Sequence, residues 1–561
     1  MQQRFTQSLL FLVLFSISLP LAAQVPQIGN GTVRGSFQSD AQWYFPDARI
    51  SAQTVDERIA ANSFLQLTFQ KGNFSAGIRY EAYQNPLLGF RAEYEGQGIP
   101  YRFASFTSDK IDLTVGNFYD QFGSGMVFRT YQEWTLGIDN SIDGIRVAFR
   151  PSKGIYTKAF IGKMRRFWGQ NAALIRGADG EIAFHEIFPS MAKKKWQISL
   201  GASIVSKYLE DDNTTLVLPE NVSTYGARLN VTKGKFSINT EYAHKINDPF
   251  KGNDFRYDPG NGFLLTTGYS QKGLGVTATL KRIDNMDSRA ERNPIIEEST
   301  INYLPPTTLQ HTYRLPTLYP YATQPGGEFG GQIDFVYTFK RKSALGGKYG
   351  MTVYMNYSRI YGLNRTVTDS SDGKIYRTKT DFGPDTDQLW FEDFSVEITR
   401  KMSKKLKLNF NYINMLYDKQ LIEEGIPMSG IPPIRVNAFI LETTHKISRK
   451  VNLRTESQLM LTSQERDLGD WAMLLGEVSV SPNWIFTVWD EWNYGGITPE
   501  SKVGLIGNRA HYLNINAAYV YDATRISIGF GRQRAGLLCV GGICRVVPAT
   551  SGFRFSINTT F

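Results

Sequence analysis

The segment Phe553-Arg554-Phe555-Ser556-Ile557-Asn558-Thr559-Thr560-Phe561 alternates large apolar with polar side chains up to the last residue. A period of two is that of a β-strand, whose successive side chains point to opposite faces. The segment therefore predicts a sheet with one apolar and one polar face. The same rhythm recurs upstream. Phe64, Leu65, Leu67 and Phe69 start one run, and Phe74, Ala76, Ile78 and Tyr80 form the next, across Lys71-Gly72-Asn73. Ile111, Leu113 and Val115 alternate with Asp112 and Thr114; Val451, Leu453, Leu459 and Leu461 are interleaved with Asn452, Arg454 and Gln458.

The connections between these runs fall into two kinds. Short turns include Pro151-Ser152-Lys153-Gly154, Lys233-Gly234, Lys272-Gly273, Met402-Ser403, Ile447-Ser448-Arg449 and Pro482-Asn483. Long polar connections lie at 45–61, 85–100, 120–141, 164–180, 207–221, 246–261, 283–328, 362–389, 419–435, 493–508 and 533–550. Short turns on one side and long loops on the other are the pattern of a bacterial outer-membrane β-barrel, with the short turns periplasmic. Two long loops in succession around 164–221 break the parity. A strand at Glu181–Ile187 followed by a turn at Pro189–Lys195 restores it. The expectation is a transmembrane antiparallel barrel of about 24 strands (about 22–26), with both termini periplasmic.

The start of the chain predicts export. Arg4 precedes the apolar run Leu9–Phe15, and Leu21-Ala22-Ala23-Gln24 offers a cleavage site after Ala23. Residues 1–23 are read as a signal peptide and 24–561 as a single barrel. No Cys follows the apolar run, which argues against a lipid anchor, and no later stretch reaches the roughly 18 uncharged apolar residues of a spanning helix. Mean hydropathy is −0.29, a value a barrel tolerates because only every second residue faces lipid. Aromatic residues make up 13% of the chain, as girdles at the two membrane boundaries require. Lys and Arg exceed Asp and Glu, 62 to 52. That excess reads as basic turn residues on many hairpins or as attraction to acidic headgroups or anions.

Phe553, Phe555, Ile557 and Phe561 resemble the C-terminal signal that the barrel-assembly machinery recognises, which makes that machinery an expected partner. Strand-like sequence begins at Thr32-Val33-Arg34-Gly35-Ser36-Phe37, leaving no room for the plug domain of a TonB-dependent receptor.

Nothing in the chain points to catalysis, a cofactor, a metal or nucleic acid. The five histidines, His185, His244, His311, His445 and His511, are dispersed, and no HExxH, GxSxG, Walker or dinucleotide motif occurs. The acid clusters Glu210-Asp211-Asp212 and Asp381, Asp385, Asp387 lack calcium-loop spacing and read as solvated loop charge. Cys539-Val540-Gly541-Gly542-Ile543-Cys544 has a Gly-Gly centre suited to a two-residue hairpin turn. That turn makes Val540 and Ile543 one cross-strand pair and the cysteines the next, close enough for a disulfide at the tip of the last external loop.

The connection 283–328 holds six prolines with Tyr303, Tyr313, Tyr319 and Tyr321 among them. Disordered loops are poor in aromatics, so this one packs. Three destinations stand open: a constriction in the lumen, a docking face for a partner, or a self-packed lid. Gly116 to Gly125, with Tyr119 and Phe122 and running into Arg129, is a second candidate, its glycines permitting a bent loop against the wall.

Asn117–Gly125, Tyr319–Pro325 and Cys539–Cys544 together resemble an uncharacterised barrel family of the Bacteroidota, and the likeness spans most of the chain. It implies an outer-membrane barrel of a Gram-negative bacterium and carries over no catalytic or ligand residues. The expected function is a non-enzymatic conduit for polar solutes. The alternative, raised by barrels of that phylum, is an accessory subunit of a type IX secretion or gliding apparatus, with outer-membrane proteins or lipoproteins as partners.

Overall fold

The computed structural model describes residues 27–294, 299–369, 377–425, 432–462, 469–495 and 509–561. The expected signal segment 1–23 lies outside them. The alternating segments form one sheet of 25 strands. One of these, Gln27–Ile28, pairs only with Gly31–Tyr44. The other 24 form a wall that closes on itself, with Gly31–Tyr44 antiparallel to the last strand, Thr550–Thr560. Every neighbouring pair in the wall is antiparallel, and closure leaves no open edge. The predicted barrel and its strand number are what the structure shows.

The first and last wall strands meet at the short-turn end. Gly35 N–H donates to the Phe561 carbonyl at 2.8 Å and Phe561 N–H to the Gly35 carbonyl at 2.9 Å. The Phe561 ring lies where a side chain on Gly35 would sit, since a Cβ there would come within 2.4 Å of it.

The outer face carries large apolar residues such as Ile78, Val115, Ile145 and Leu200, all exposed. Exposed aromatics gather toward the two ends of the strands. Phe74, Phe106, Phe236 and Trp484 stand near the short turns, and Trp43, Tyr208, Trp492 and Phe553 near the long loops. An apolar wall between two aromatic rows is the surface a membrane barrel presents.

Two stretches read as loops are strands. The chain does not loop over 164–180: Ile155–Arg166 turns at Phe167-Trp168 into the strand Gly169–Ala183. The expected strand at Glu181–Ile187 is the end of that strand followed by the helical turn Phe184–Ile187, with a second short helix at Pro189–Lys193. Parity survives because one hairpin replaces another. The alternation was hidden by small inward residues: Ala173 and Gly177 lie under packed loops, and a Cβ on Gly177 would fall 2.3 Å from the Phe160 ring. Likewise the loop read over 362–389 is largely hairpin. Strands Met351–Asp369 and Arg377–Lys401 continue past the wall as a polar ribbon that bonds back to the loop end: Thr378 N–H donates to Asp258, and Arg282 donates to the carbonyls of Asp381 and Phe382.

Candidate functional site

Several of the long loops turn inward. The first is 119–141, which leaves the strand Ile111–Phe118 and runs along the inner wall. Gly123 makes this path possible. Its φ is +54°, and a Cβ would sit 2.5 Å from Glu241 Oε2, which instead accepts the Ser124 N–H at 2.7 Å. Phe122, Met126, Val127 and Phe128 from the loop then pack fully buried against Phe160, Ile175 and Val205 of the wall. Burial of each such side chain stabilises by about 1.5–3 kcal/mol.

The second, described over 285–294 and 299–326, crosses the lumen. Near its start it pairs with the first loop: Arg129 N–H donates to the Ile301 carbonyl at 3.0 Å and Tyr303 N–H to the Gly125 carbonyl at 2.9 Å. The Asn302 amide donates to the carbonyls of Met126 and Met286 at 3.1 and 2.7 Å. Farther on it reaches the opposite wall. His311 lies 2.7 Å from Asp393, Tyr313 accepts from Asn409 at 2.8 Å, Leu315 N–H donates to Gln458 at 3.0 Å, and Arg314 pairs with Glu491. Leu315, Leu318, Tyr319 and Tyr321 are buried there, among Phe391, Tyr417, Val436 and Trp471. Proline-rich, aromatic sequence suits this course: few backbone donors need partners, and rings fill a wide lumen.

The disulfide hairpin clamps the crossing loop. Gly536–Val540 and Ile543–Val547 pair as the turn predicts, Cys539 opposite Cys544, and the two cysteines are bonded. Gly541 and Gly542 both have positive φ. The hairpin does not stand free as an external tip. Gln310 exchanges two hydrogen bonds with it, to the Cys539 carbonyl at 2.8 Å and from the Gly541 N–H at 3.0 Å. Tyr303 donates to the Gly541 carbonyl at 2.8 Å, and Thr323 N–H to that of Gly542 at 3.0 Å.

Buried ion pairs fix the loops to the wall. Asp139 of the first loop sits between Arg79 and Arg165 on separate strands, 2.6 Å from Arg165, and both arginines also hold Glu81 at 2.7 Å. Burial alone would raise the Asp139 carboxyl, but the two guanidinium groups hold it below its ordinary range. Asp248, in the loop after Phe236–Lys245, is held down in the same way: burial opposes ionisation, and Lys207 at 2.7 Å with Lys245 overrides it. Lys281 meets Glu328 and the Pro305 carbonyl, both at 2.5 Å, and Tyr321 donates to Glu328 at 2.5 Å. Burial, with Glu328 beside it, pushes the Tyr321 phenol well up; burial pushes Tyr313 up to about 12.

The aromatic residues singled out in sequence thus divide among four places. Tyr303 and Arg129 come together, the guanidinium 4.0 Å above the ring. Tyr119 accepts from Arg79 at 3.2 Å, beside the Asp139 cluster, and Phe122 is in the apolar seam. Tyr313, Tyr319 and Tyr321 lie on the far wall. Sequence reading missed Arg79, Glu81, Asp139 and Arg165. For Arg79 and Glu81 the one signal is charge on the inward positions of a strand whose outward positions are apolar, at Ile78-Arg79-Tyr80-Glu81. Of the acid clusters, Asp211 accepts the N–H groups of Asn213 and Leu218, and Asp381 accepts from Asn364. Among the described residues no group of three His, Cys, Asp or Glu side chains is placed to hold a metal.

Toward the short turns the inner wall is polar and uncovered. Hydroxyl pairs Ser75–Ser105, Thr266–Thr279 and Thr338–Thr352 bridge neighbouring strands at 2.9, 3.2 and 3.2 Å. Beneath the first loop a recess of about 520 Å³ is lined by Gln121, Lys158, Asp179, Arg228 and Asn239. Fold and site define a large closed β-barrel whose lumen is filled by its own loops at one end.

The chain belongs to a family of unknown function, DUF6029, whose sequence model matches residues 1–561. No curated protein matches it. Among solved structures it is similar to the siderophore receptor PirA from Pseudomonas aeruginosa, at 11% identity and a TM-score of 0.41, over 94% of this chain and 80% of that one. It is also similar to the translocation pore of the P pilus usher PapC, at 9% identity and 0.42, over 94% of this chain and 99% of that one. A third is OpdL of Pseudomonas aeruginosa, at 12% and 0.35, over 78% of this chain and all of that one.

Proposed function

We propose that the chain is an integral outer-membrane barrel of a Gram-negative bacterium, a non-enzymatic conduit for polar solutes that is gated at its loop end. The observation that carries this is the crossing of the lumen by 299–326, above an inner wall lined by hydroxyl, amide and charged groups. A barrel of this strand number is too wide for wall side chains to fill, so what its loops leave open holds water. The apolar outer wall between two aromatic rows supports the membrane setting. On this reading the partners are outer-membrane lipid and, during assembly, the machinery that reads Phe553, Phe555, Ile557 and Phe561.

The test is conductance of purified protein in a planar bilayer, before and after deletion of residues 300–325. Silence or small steps in the intact protein and large ohmic steps in the deletion support the gated conduit. Silence in both overturns it. The projecting ribbon, with Val367 and Phe382 exposed, favours a second reading, an accessory subunit of a surface-assembly or type IX secretion apparatus. Cross-linking from residue 382 to another outer-membrane protein or lipoprotein in intact cells would support that reading.

A further inference from the structure

Below the crossing loop, one arc of the inner wall holds more carboxylates than cations. It runs over the neighbouring strands Arg377–Lys401, Leu406–Tyr417, Ile434–Lys446, Val451–Thr462 and Trp471–Val480. Glu442 stands directly opposite Glu456, a like-charge pair that costs stability unless a cation bridges it. Arg454 is the bridge, 2.9 Å from Glu442 and in contact with Glu456, and Glu477 stands opposite Arg454 in turn. Three carboxylates thus share one guanidinium. Glu397, two strands from Glu442, has only the Thr399 hydroxyl, at 3.4 Å. Lys407, on the same inward row as Asn409, makes no ion pair among the described residues. Even with Lys407 counted, Glu397, Glu442, Glu456 and Glu477 face two cations. The excess of Lys and Arg in the whole chain, 62 to 52, is reversed here.

Buried acceptors continue the arc. Asn411 lies opposite Glu397, and Ser395 is one inward position from Glu397 toward the loop end. Asn411 is 5% exposed and Ser395 2%, and neither the Asn411 Oδ1 nor the Ser395 Oγ has a hydrogen-bond partner among the described residues. A buried amide oxygen is costly to leave without a donor. The carboxylates are spread rather than convergent: strands lie about 4.8 Å apart, so Glu397 and Glu477 are on the order of 19 Å apart. A metal ion gathers its oxygens at about 2.0–2.6 Å, whereas charges set apart along a wall suit a ligand whose own charges are set apart. An ammonium group offers three donors and no acceptor, which matches a wall of acceptors. We propose that this arc binds a linear polyamine, a chain of ammonium groups on short methylene linkers lying along the wall. One ammonium group meets Glu397 with the oxygens of Asn411 and Ser395, and the next meets Glu442. The site goes beyond the conduit reading and does not depend on it, because binding is measured on protein in micelles whether or not anything passes the lumen.

The test is calorimetric titration of the full-length protein, refolded into micelles of an uncharged detergent, with spermidine, against propylamine and magnesium at matched ionic strength. The expected result is one site per chain with a Kd below about 1 mM, at least about tenfold tighter than either comparison cation, and weakened by added salt. E397Q and E442Q are each expected to weaken spermidine binding by about fivefold or more. Heat-modifiable migration verifies that each variant is folded; if E442Q fails that check, E397Q, which breaks no ion pair, is decisive. Absence of binding, equal affinity for magnesium or propylamine, or an affinity unchanged in the folded variants would overturn the proposal.

Discussion

The two ends of the lumen are built on the same wall and by opposite rules. At the loop end, inward residues are buried apolar groups and charges, Phe160, Ile175, Arg79 and Arg165, each engaged by an inward loop. At the turn end, inward residues are Ser75, Ser105, Thr266 and Thr279, which bond one another across strands and meet no loop. Outward residues scarcely change between the ends. The lipid-facing requirement sets one face uniformly, and loop length alone decides whether the other becomes a core or a channel wall.

The largest expected effect comes from Asp139→Ala, which leaves Arg79 and Arg165 buried around Glu81 alone. Loss of a buried partner costs about 3–5 kcal/mol. It should appear as protease cleavage within 119–141 while the barrel stays heat-modifiable; a variant as resistant as wild type would erase the distinction between the ends. Ile145→Arg tests the shared outer face, where a charge is expected to cost about 2–4 kcal/mol at the bilayer centre and less near the boundaries. Urea unfolding of protein folded into lipid vesicles measures it. Replacing Cys539 and Cys544 together by serine removes a small loop closure, about 2 kcal/mol, and should expose 536–547 to proteolysis without altering the wall.

Acid provides a graded version of the first test. The Asp139 and Asp248 carboxyls lie below their ordinary value in the folded chain. Their contribution is therefore complete above the unfolded value, near about 4, and is lost as pH falls through the folded values. Bilayer recordings should be unchanged from neutral pH to about 4.5 and become open or noisy only in stronger acid. The smallest effect is expected from Lys235→Ala, which removes only an exposed hydrogen bond to Gln271 at the turn end. It should shift the unfolding midpoint by less than about 0.5 kcal/mol.

The wall was legible in the sequence because lipid enforces alternation, as in Phe74 to Tyr80 and Phe553 to Phe561. It failed where the inward residues shrink, in Gly169–Ala183, and where both faces are polar, in the projecting stretches 362–369 and 377–389. Of the site, the aromatic residues of 283–328 and the disulfide could be picked out, since rings and paired cysteines are rare in solvated loops. The anchoring charges could not. Arg79, Asp139 and Arg165 become neighbours only when two strands and a loop are brought together, and no local pattern encodes that meeting.

The central contrast is between a lumen filled at one end and water-lined at the other, and single cysteines read it directly. Ser75→Cys stands on the uncovered inner wall, and Ala173→Cys stands behind the packed loops. With protein in vesicles or micelles, a polar maleimide should label position 75 at a rate close to that of an exposed turn cysteine and leave position 173 protected. Equal rates at the two positions would contradict the account.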